Sequence, residues 1–552
     1  MRAFDSRFAA VYNDTARFPT IDDVADELGV SVKTVRNRAG EMRTLARELD
    51  ADTAELIDRS RGARRPKAPV EEVKTVPVWS RTDPIKPKPR APGQGVRYFF
   101  LGAGQDGSEV HHGFMDNMEA YAAWLGDSET MISGSTYNKQ LFESHDKNDA
   151  DKHWWHPRIM KYWTQDQVEI GDGLLFCGEM NTLPTATNPL SGFETYTRDK
   201  WGVFPHAKVQ LQSVATAKMA RTKQLMTTGF VTMPNYVQKK AGIKASFHHV
   251  IGCVLVELHP DGSFFCRHLL AEDDGSFYDL DRRVERGNVT TDHRAEALVY
   301  GDIHHEKLDP IVERTTWGEG GLLDRFRPRH QFFHDLSDFT ARNHHRIKDH
   351  HFRFATHAHD TANVRDALSG CAQFLVDTSR PWCRSVVVES NHDQALVTWL
   401  KTADYREDPE NAVFFLECQT YYYQQLGLGV QTPPVFEHVL NDLSAGLTAN
   451  IEFVGEDDTY IICGDIECAM HGHLGANGSR GSPKQFTRAG PKSISGHTHS
   501  PQIIDGAVVV GVSGSLDQGY NRGMSSWDHT HCLVYPNGKR CLITLMNGRW
   551  FA

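Results

Sequence analysis

Apolar and polar positions follow two periods along this chain, helical at its start and strand-like through much of the rest. In the first sixty residues, Thr20 can cap a helix whose apolar face is Ile21, Val24, Ala25 and Leu28, and Gly29 ends it. Ser31 can cap a second helix carrying Val32 and Val35 beside Lys33, Arg36 and Arg38. Farther on, Tyr98-Phe99-Phe100-Leu101 and Leu174-Leu175-Phe176-Cys177 predict strands, and 113–125 predicts a helix. Residues 249–280 hold apolar runs separated by Asp261-Gly262 and Asp274-Gly275, the pattern of an antiparallel meander. Ala297-Leu298-Val299-Tyr300, Val386-Val387-Val388, Tyr460-Ile461-Ile462-Cys463 and 503–512 predict further strands. Helices are expected at 361–376 and 394–400.

These elements divide into four stretches. Residues 1–62 form a helix-turn-helix-like unit, whose second helix would enter a DNA major groove; a helical hairpin used for assembly is the alternative. Residues 63–96 are rich in proline (Pro66, Pro69, Pro77, Pro84, Pro87, Pro89, Pro92) and in Arg and Lys, the composition of an extended basic linker. Residues 97–290 read as a mixed α/β domain, and 291–552 as a C-terminal α/β domain of a size suited to a two-sheet sandwich.

At 552 residues, 39% hydrophobic and 24% charged, the chain suits a globular protein of two to four domains. It has no apolar run near the roughly 20 residues of a membrane helix. Arg2, Asp5 and Arg7 leave no apolar core for a secretory signal, so a cytoplasmic location and no membrane partner are expected. The ten cysteines form no Cys-x-x-Cys pair, and Cys463 and Cys468 read as reduced core thiols. A net charge of −11 opposes a broad phosphate-binding surface, so nucleic-acid binding would need local basic patches and metal ions. Lys218, Arg221, Lys223, Lys239, Lys240 and Lys244 could form one such patch, with a solvated face as the default reading. Gly102-Ala103-Gly104 lacks the third glycine and downstream acid of a dinucleotide site.

Candidate chemistry concentrates after residue 300. Asp302-Ile303-His304, Asp335, Asn391-His392-Asp393, His471 and His497-Thr498-His499 occur in that order, most of them after a strand-like run. Singly, Asp302 could be a turn residue, Asn391 a helix cap and His471 a core histidine. Jointly, carboxylates, imidazoles and one amide delivered from separate strand ends are the ligand set of a two-metal centre.

These motifs resemble the calcineurin-like metallophosphoesterase superfamily over about residues 296–552, with His334 and Ser390 standing where that family has glycine. The resemblance implies a two-sheet β-sandwich flanked by helices. Asp302, His304 and His499 would hold one divalent ion, Asn391, His471 and His497 a second, and Asp335 would bridge them. His392 would be the general acid, with Asp393 holding its tautomer. The mixed ligand set suits Mn²⁺, with Fe or Zn as alternatives, better than Mg²⁺.

The whole-chain layout, with Phe247-His248-His249-Val250-Ile251-Gly252 and Pro189-Leu190-Ser191-Gly192-Phe193, also resembles phage-encoded pre-early nucleases that degrade host DNA. That implies a homo-oligomeric Mn²⁺-dependent DNA nuclease acting in the host cytoplasm. From the residues themselves, Lys33, Arg36 and Arg38 on the second helix are candidate DNA contacts, and Asn343 and His344, in the polar run 342–351 after Asp335, could contact phosphate near the metals, with a solvated polar helix face as the alternative reading of that run. A phosphatase or cyclic-nucleotide phosphodiesterase, and a DNA-binding regulator, are the competing readings.

Overall fold

The structure, a computed structural model, describes residues 5–48, 84–87, 95–137, 154–218, 220–343, 346, 348–444, 447 and 450–551. Most of the expected linker 63–96 lies outside the described residues. The chain divides into two compact units, Met1–Thr82 and Asp83–Ala552.

In the first unit, helices Ser6–Asn13, Ile21–Leu28 and Val32–Glu48 close around Phe8, Tyr12, Phe18, Val24, Val35 and Met42. Thr20 caps the second helix reciprocally: its hydroxyl accepts from Asp23 N at 3.2 Å, and Asp23 accepts from Thr20 N at 2.7 Å. Gly29 ends that helix at a φ of 63°, left-handed backbone that glycine adopts without a Cβ clash. Ser31 Oγ then accepts from Thr34 N at 3.2 Å and starts the third helix. The first helix had no counterpart in the sequence reading.

The second unit is mixed α/β, with four sheets among the described residues. A six-stranded sheet runs in the order Ile451–Val454, Arg384–Val388, His330–His334, Ala297–Val299, Thr530–Val534, Arg540–Thr544, and its first four strands are mutually parallel. Alternation along these strands assigns their faces. Leu298, Phe333, Val387 and Leu533 pack against helices through Leu368, Leu375 and Trp399. Ala297, Val299, Phe332, Val386 and Val388 turn the other way and share a core with Ile466, Ile494 and Val508 of a second sheet. Each of these Leu, Ile, Val and Phe side chains contributes about 1.5–3 kcal/mol on burial.

The second sheet has ten strands and crosses the expected boundary at residue 290. Its order is Ile461–Ile462, Ile466–Glu467, Lys492–Ser495, Ala507–Val509, Gln502–Ile504, Leu211–Val214, Lys223–Thr227, Trp201–Phe204, Leu174–Cys177, Gln167–Ile170. The junction is antiparallel, with Gln502 opposite Gln212 and Ile503 opposite Leu211. Residues 97–290 and 291–552 therefore share a sheet and do not separate into two domains. Even Ile85, inside the expected linker, forms a parallel bridge with Val168 of this sheet.

Smaller differences have local causes. Residues 503–512 form a hairpin folded at Asp505-Gly506, where the sequence reading had one strand, and Asp505 takes a φ of 50°. Cys468 is buried as expected, but Cys463 is exposed. Away from both large sheets, fully buried Arg267 pairs with Glu257 at 2.5 Å and with Asp279, which also accepts from Tyr121 Oη at 2.6 Å. Removing one partner of such a buried pair costs about 3–5 kcal/mol.

Candidate metal centre

Three parallel strands place the first ligands. Asp302, Asp335 and Asn391 follow Ala297–Val299, His330–His334 and Arg384–Val388, so they gather beyond the carboxyl ends of neighbouring strands. From the second sheet, His471 follows Ile466–Glu467, and His497 and His499 follow its parallel neighbour Lys492–Ser495. The shared core holds the two sets of strand ends together and brings the seven expected residues to one region.

Asp302, His304, Asp335 and His499 are buried and present ligand atoms within 4.8 Å of one another. His304 Nε2 lies 3.0 Å from His499 Nε2 and 3.6 Å from Asp335 Oδ2, and His499 Nε2 lies 3.0 Å from Asp302 Oδ2. His471 Nε2 lies 3.3 Å from Asp335 Oδ2 and 3.1 Å from Asn391 Oδ1. The His497 ring sits 5.2 Å from that of His471, and its backbone N donates to Asp302 Oδ2 at 2.7 Å.

The backbone is strained at these positions. His304, Asp335, His497 and His499 have φ values of 47°, 44°, 71° and 56°. Left-handed backbone at non-glycine residues costs about 1–3 kcal/mol each and persists where surrounding packing enforces it. Gly496 is required by close approach, since a Cβ there would fall 2.0 Å from Asp302 Oδ1.

Charge is balanced between the two sheets. Burial opposes ionisation of Asp302 and Asp335, yet neighbouring imidazoles (His499 and His471 for Asp302, His471 and His392 for Asp335) hold both below the usual carboxylate range. Burial likewise opposes a charge on His471, but Asp335 and Asp302 outweigh it and push its pKa up to about 9. His497 is pushed down to about 4, by burial first and then by His471.

This donor set fits divalent cations. Asp302 Oδ1 is buried with no hydrogen-bond partner among the described residues, and two imidazole nitrogens face each other at 3.0 Å. A cation shared among carboxylate and imidazole would satisfy both conditions. The exposed group Glu109, His112 and His156 is a poorer candidate. There, His156 Nδ1 accepts from Arg158 N at 3.2 Å, which leaves the proton of the neutral ring on Nε2. His112 and His156 pack edge to face at 5.6 Å.

His392 borders the same centre at 20% side-chain exposure. Its partner differs from the expected one. His392 Nδ1 faces Asp338, 3.1 Å from the carbonyl oxygen and 3.8 Å from Oδ1. Asp393 instead accepts from Ser337 N at 3.0 Å and from Ser390 Oγ at 2.8 Å, bracing the loop. Burial lowers the His392 pKa, but the carboxylates of Asp335 and Asp338 outweigh it and raise the net value. Burial and the charge on Asp335 push Asp393 up to about 7.

Asp338, a few residues beyond Asp335, is not among the expected site residues, yet it braces the centre. Its carboxylate lies 3.2 Å from His304 Nδ1 and 2.7 Å from Lys307 Nζ, so one fully buried acid orients an expected ligand and faces His392. Glu306 supports it, accepting from Asp338 N at 2.6 Å. His334, fully buried, has both ring nitrogens without a partner among the described residues and is pushed down to about 4 by burial.

The expected DNA contacts are distributed differently. Lys33 and Arg36 are exposed on the third helix of the first unit. Arg38 is exposed but committed, with Nη2 2.6 Å from Asp5 Oδ2 and its guanidinium 5.8 Å from the Phe8 ring. Asn343 is half-buried after the turn Thr340–Arg342, and His344 lies outside the described residues. The patch at Lys218, Arg221 and Lys223 does not form: Lys218 pairs with Asp517, Arg221 lies over Trp201 and Phe264, and buried Lys223 donates to the carbonyls of Glu194 and Arg198. Lys239, Lys240 and Lys244 remain exposed.

Fold and site together define a mixed α/β protein with a buried histidine–carboxylate centre able to hold metal ions. The chain is 38% identical over 470 residues to Protein A1 of Escherichia phage T5, an alignment that spans 83% of each chain. It belongs to the family of that phage protein. No protein-family model and no solved structure matches the chain. Among the described residues, no helix is long and apolar enough to cross a membrane.

Proposed function

We propose that this protein is a metal-dependent DNA nuclease of the calcineurin-like metallophosphoesterase type, phage-encoded and acting on DNA in the host cytoplasm. The observation that carries the reading is the meeting of Asp302, His304, Asp335, Asn391, His471, His497 and His499 at the strand ends of two sheets, with His392 beside them. Asp302, His304 and His499 would hold one ion, Asn391, His471 and His497 the other, and Asp335 would serve both. Nitrogen and oxygen donors in this ratio favour Mn²⁺. Bound ions supply Lewis acidity toward a phosphodiester and toward water.

The remaining steps belong to the chain. His392 keeps its proton to higher pH than an ordinary histidine, because Asp335 and Asp338 stand close to it. It is therefore suited to give a proton to the departing alkoxide oxygen. Asp338 turns Nδ1 of that ring inward and leaves Nε2 for the substrate. Lys33 and Arg36 on the third helix of the first unit favour a nucleic-acid substrate over a small phosphate ester.

Incubating the full chain with Mn²⁺ and either linear DNA or p-nitrophenyl phosphate tests the reading. The expected result is DNA degradation, lost in Asp302→Ala and reduced about 10²- to 10⁴-fold in His392→Ala with metal binding intact. Hydrolysis of the monoester alone would point to a phosphatase. Specific DNA binding without any hydrolysis would point to a regulator.

A further inference from the structure

Residues 514–528 carry none of the metal motifs, yet they run beside the centre. Trp527 stands edge-on to the His499 ring at 4.2 Å, and Tyr520 lies 5.7 Å from Trp527. Lys307, which holds Asp338, places its Nζ 5.0 Å from the centroid of the Tyr520 ring. Tyr520 still keeps 44% of its surface exposed. Its hydroxyl donates to Gln518 Oε1 at 2.7 Å, which fixes the amide.

The other end of that amide is unused. Gln518 is 6% exposed, and its Nε2 has no hydrogen-bond partner among the described residues. A Cβ on Gly514 would lie 2.8 Å from Gln518 Nε2 and 3.4 Å from His304 Cβ, so the free donor and the Cβ of an expected ligand flank the same glycine. A buried N–H without an acceptor is unfavourable unless a ligand completes the bond.

The segment is also firmly held. Thr216 and Ser525 exchange backbone hydrogen bonds of 3.0 and 2.9 Å, Thr222 Oγ1 donates to Trp527 O at 2.6 Å, and Lys218 pairs with Asp517 at 2.5 Å. All three anchors come from the connection between strands Leu211–Val214 and Lys223–Thr227.

We propose that this segment seats the DNA strand at the cut: Tyr520 stacks the base flanking the scissile phosphate, and Gln518 Nε2 donates to an oxygen of that phosphodiester. The inference rests on the nuclease reading and narrows its substrate. A base inside a duplex has both faces covered, so stacking on Tyr520 selects DNA that is single-stranded or unpaired at the cut. Stacking is indifferent to base identity, and the exposed Arg522 lies on the same segment to meet the backbone charge.

The test uses the full chain with Mn²⁺ and single-stranded oligonucleotides having one cleavable bond, flanked by thymine or by an abasic residue. The wild type is expected to show about 10-fold higher kcat/KM with thymine. Tyr520→Ala should abolish that ratio, and Tyr520→Trp should preserve it, which separates stacking from simple misfolding. Gln518→Leu should lower kcat about 10-fold on both substrates and leave the ratio intact. A wild type indifferent to the abasic residue, or Tyr520→Ala with the ratio unchanged, overturns the inference while leaving the nuclease reading in place. Absence of hydrolysis of any DNA by the wild type overturns both.

Discussion

The six-stranded and ten-stranded sheets bring unlike chemistry to one centre. The first contributes mainly oxygen donors, Asp302, Asp335 and Asn391, with His304 one residue beyond Ile303; the second contributes imidazoles, His471, His497 and His499. Either set would be unfavourable alone, because burial penalises isolated carboxylates and forces imidazoles neutral. Facing each other, they offset that penalty unevenly. His471, 3.3 Å from Asp335, is held protonated to about 9, whereas His497 is pushed down to about 4. Residue type thus says little about charge state here: burial and carboxylate charge compete, and at His304, 3.2 Å from Asp338, burial wins and lowers the pKa.

Removing Asp335, whose carboxylate faces His304 at 3.6 Å and His471 at 3.3 Å, should break this arrangement most severely. Asp335→Ala is expected to cut turnover by on the order of 10³-fold or more and to lower the number of divalent ions bound, measured by metal analysis after dialysis. Wild-type metal content in that variant would mean that Asp335 does not join the two halves.

Asp338→Asn should act more mildly, on the order of 10–100-fold in kcat, since it removes the negative charge facing His304 and His392 but keeps the backbone carbonyl that His392 Nδ1 meets and the seven expected ligands. The pH–rate profile separates that effect from general loosening. Asp338 helps raise the His392 pKa, so without it the protonated imidazole is lost earlier as pH rises, and the basic limb of the profile moves to lower pH. An unmoved limb would leave Asp338 with a packing role only.

The smallest effect concerns stability without metal. The folded pKa of His471 is about 9 against an ordinary 6.5. Its ion pairing therefore stabilises the fold fully below pH 6.5 and loses that contribution as pH rises through 9. Thermal melting of metal-free protein should fall across that window, and His471→Gln should flatten the fall. Metal binding runs the opposite way, because a coordinating imidazole must be neutral, so affinity should rise with pH. A melting temperature independent of pH between 6.5 and 9 would contradict the pairing of His471 with Asp335.

Local features were readable from local residues. Thr20, Gly29 and Ser31 mark helix ends through bonds that reach at most a few positions, and Leu174–Cys177 is a strand as its apolar run predicts. The Asp505-Gly506 turn carried a hairpin signal, but the continuous apolar run around it concealed the fold-back. The resemblance implies Asp393 as the partner of His392, whereas Asp338, 54 positions before that histidine, is the residue that faces the ring.

By itself, the sequence determined which side chains of the C-terminal half could bind a metal and in what order they occur, since short motifs encode ligand type and spacing. Only the tertiary structure decided that Ile503 pairs with Leu211, making one body of two expected domains and anchoring Trp527 and Tyr520 beside the centre. Backbone pairing between residues nearly three hundred positions apart depends on the packing of whole sheets. No local pattern of apolar and polar positions carries that information.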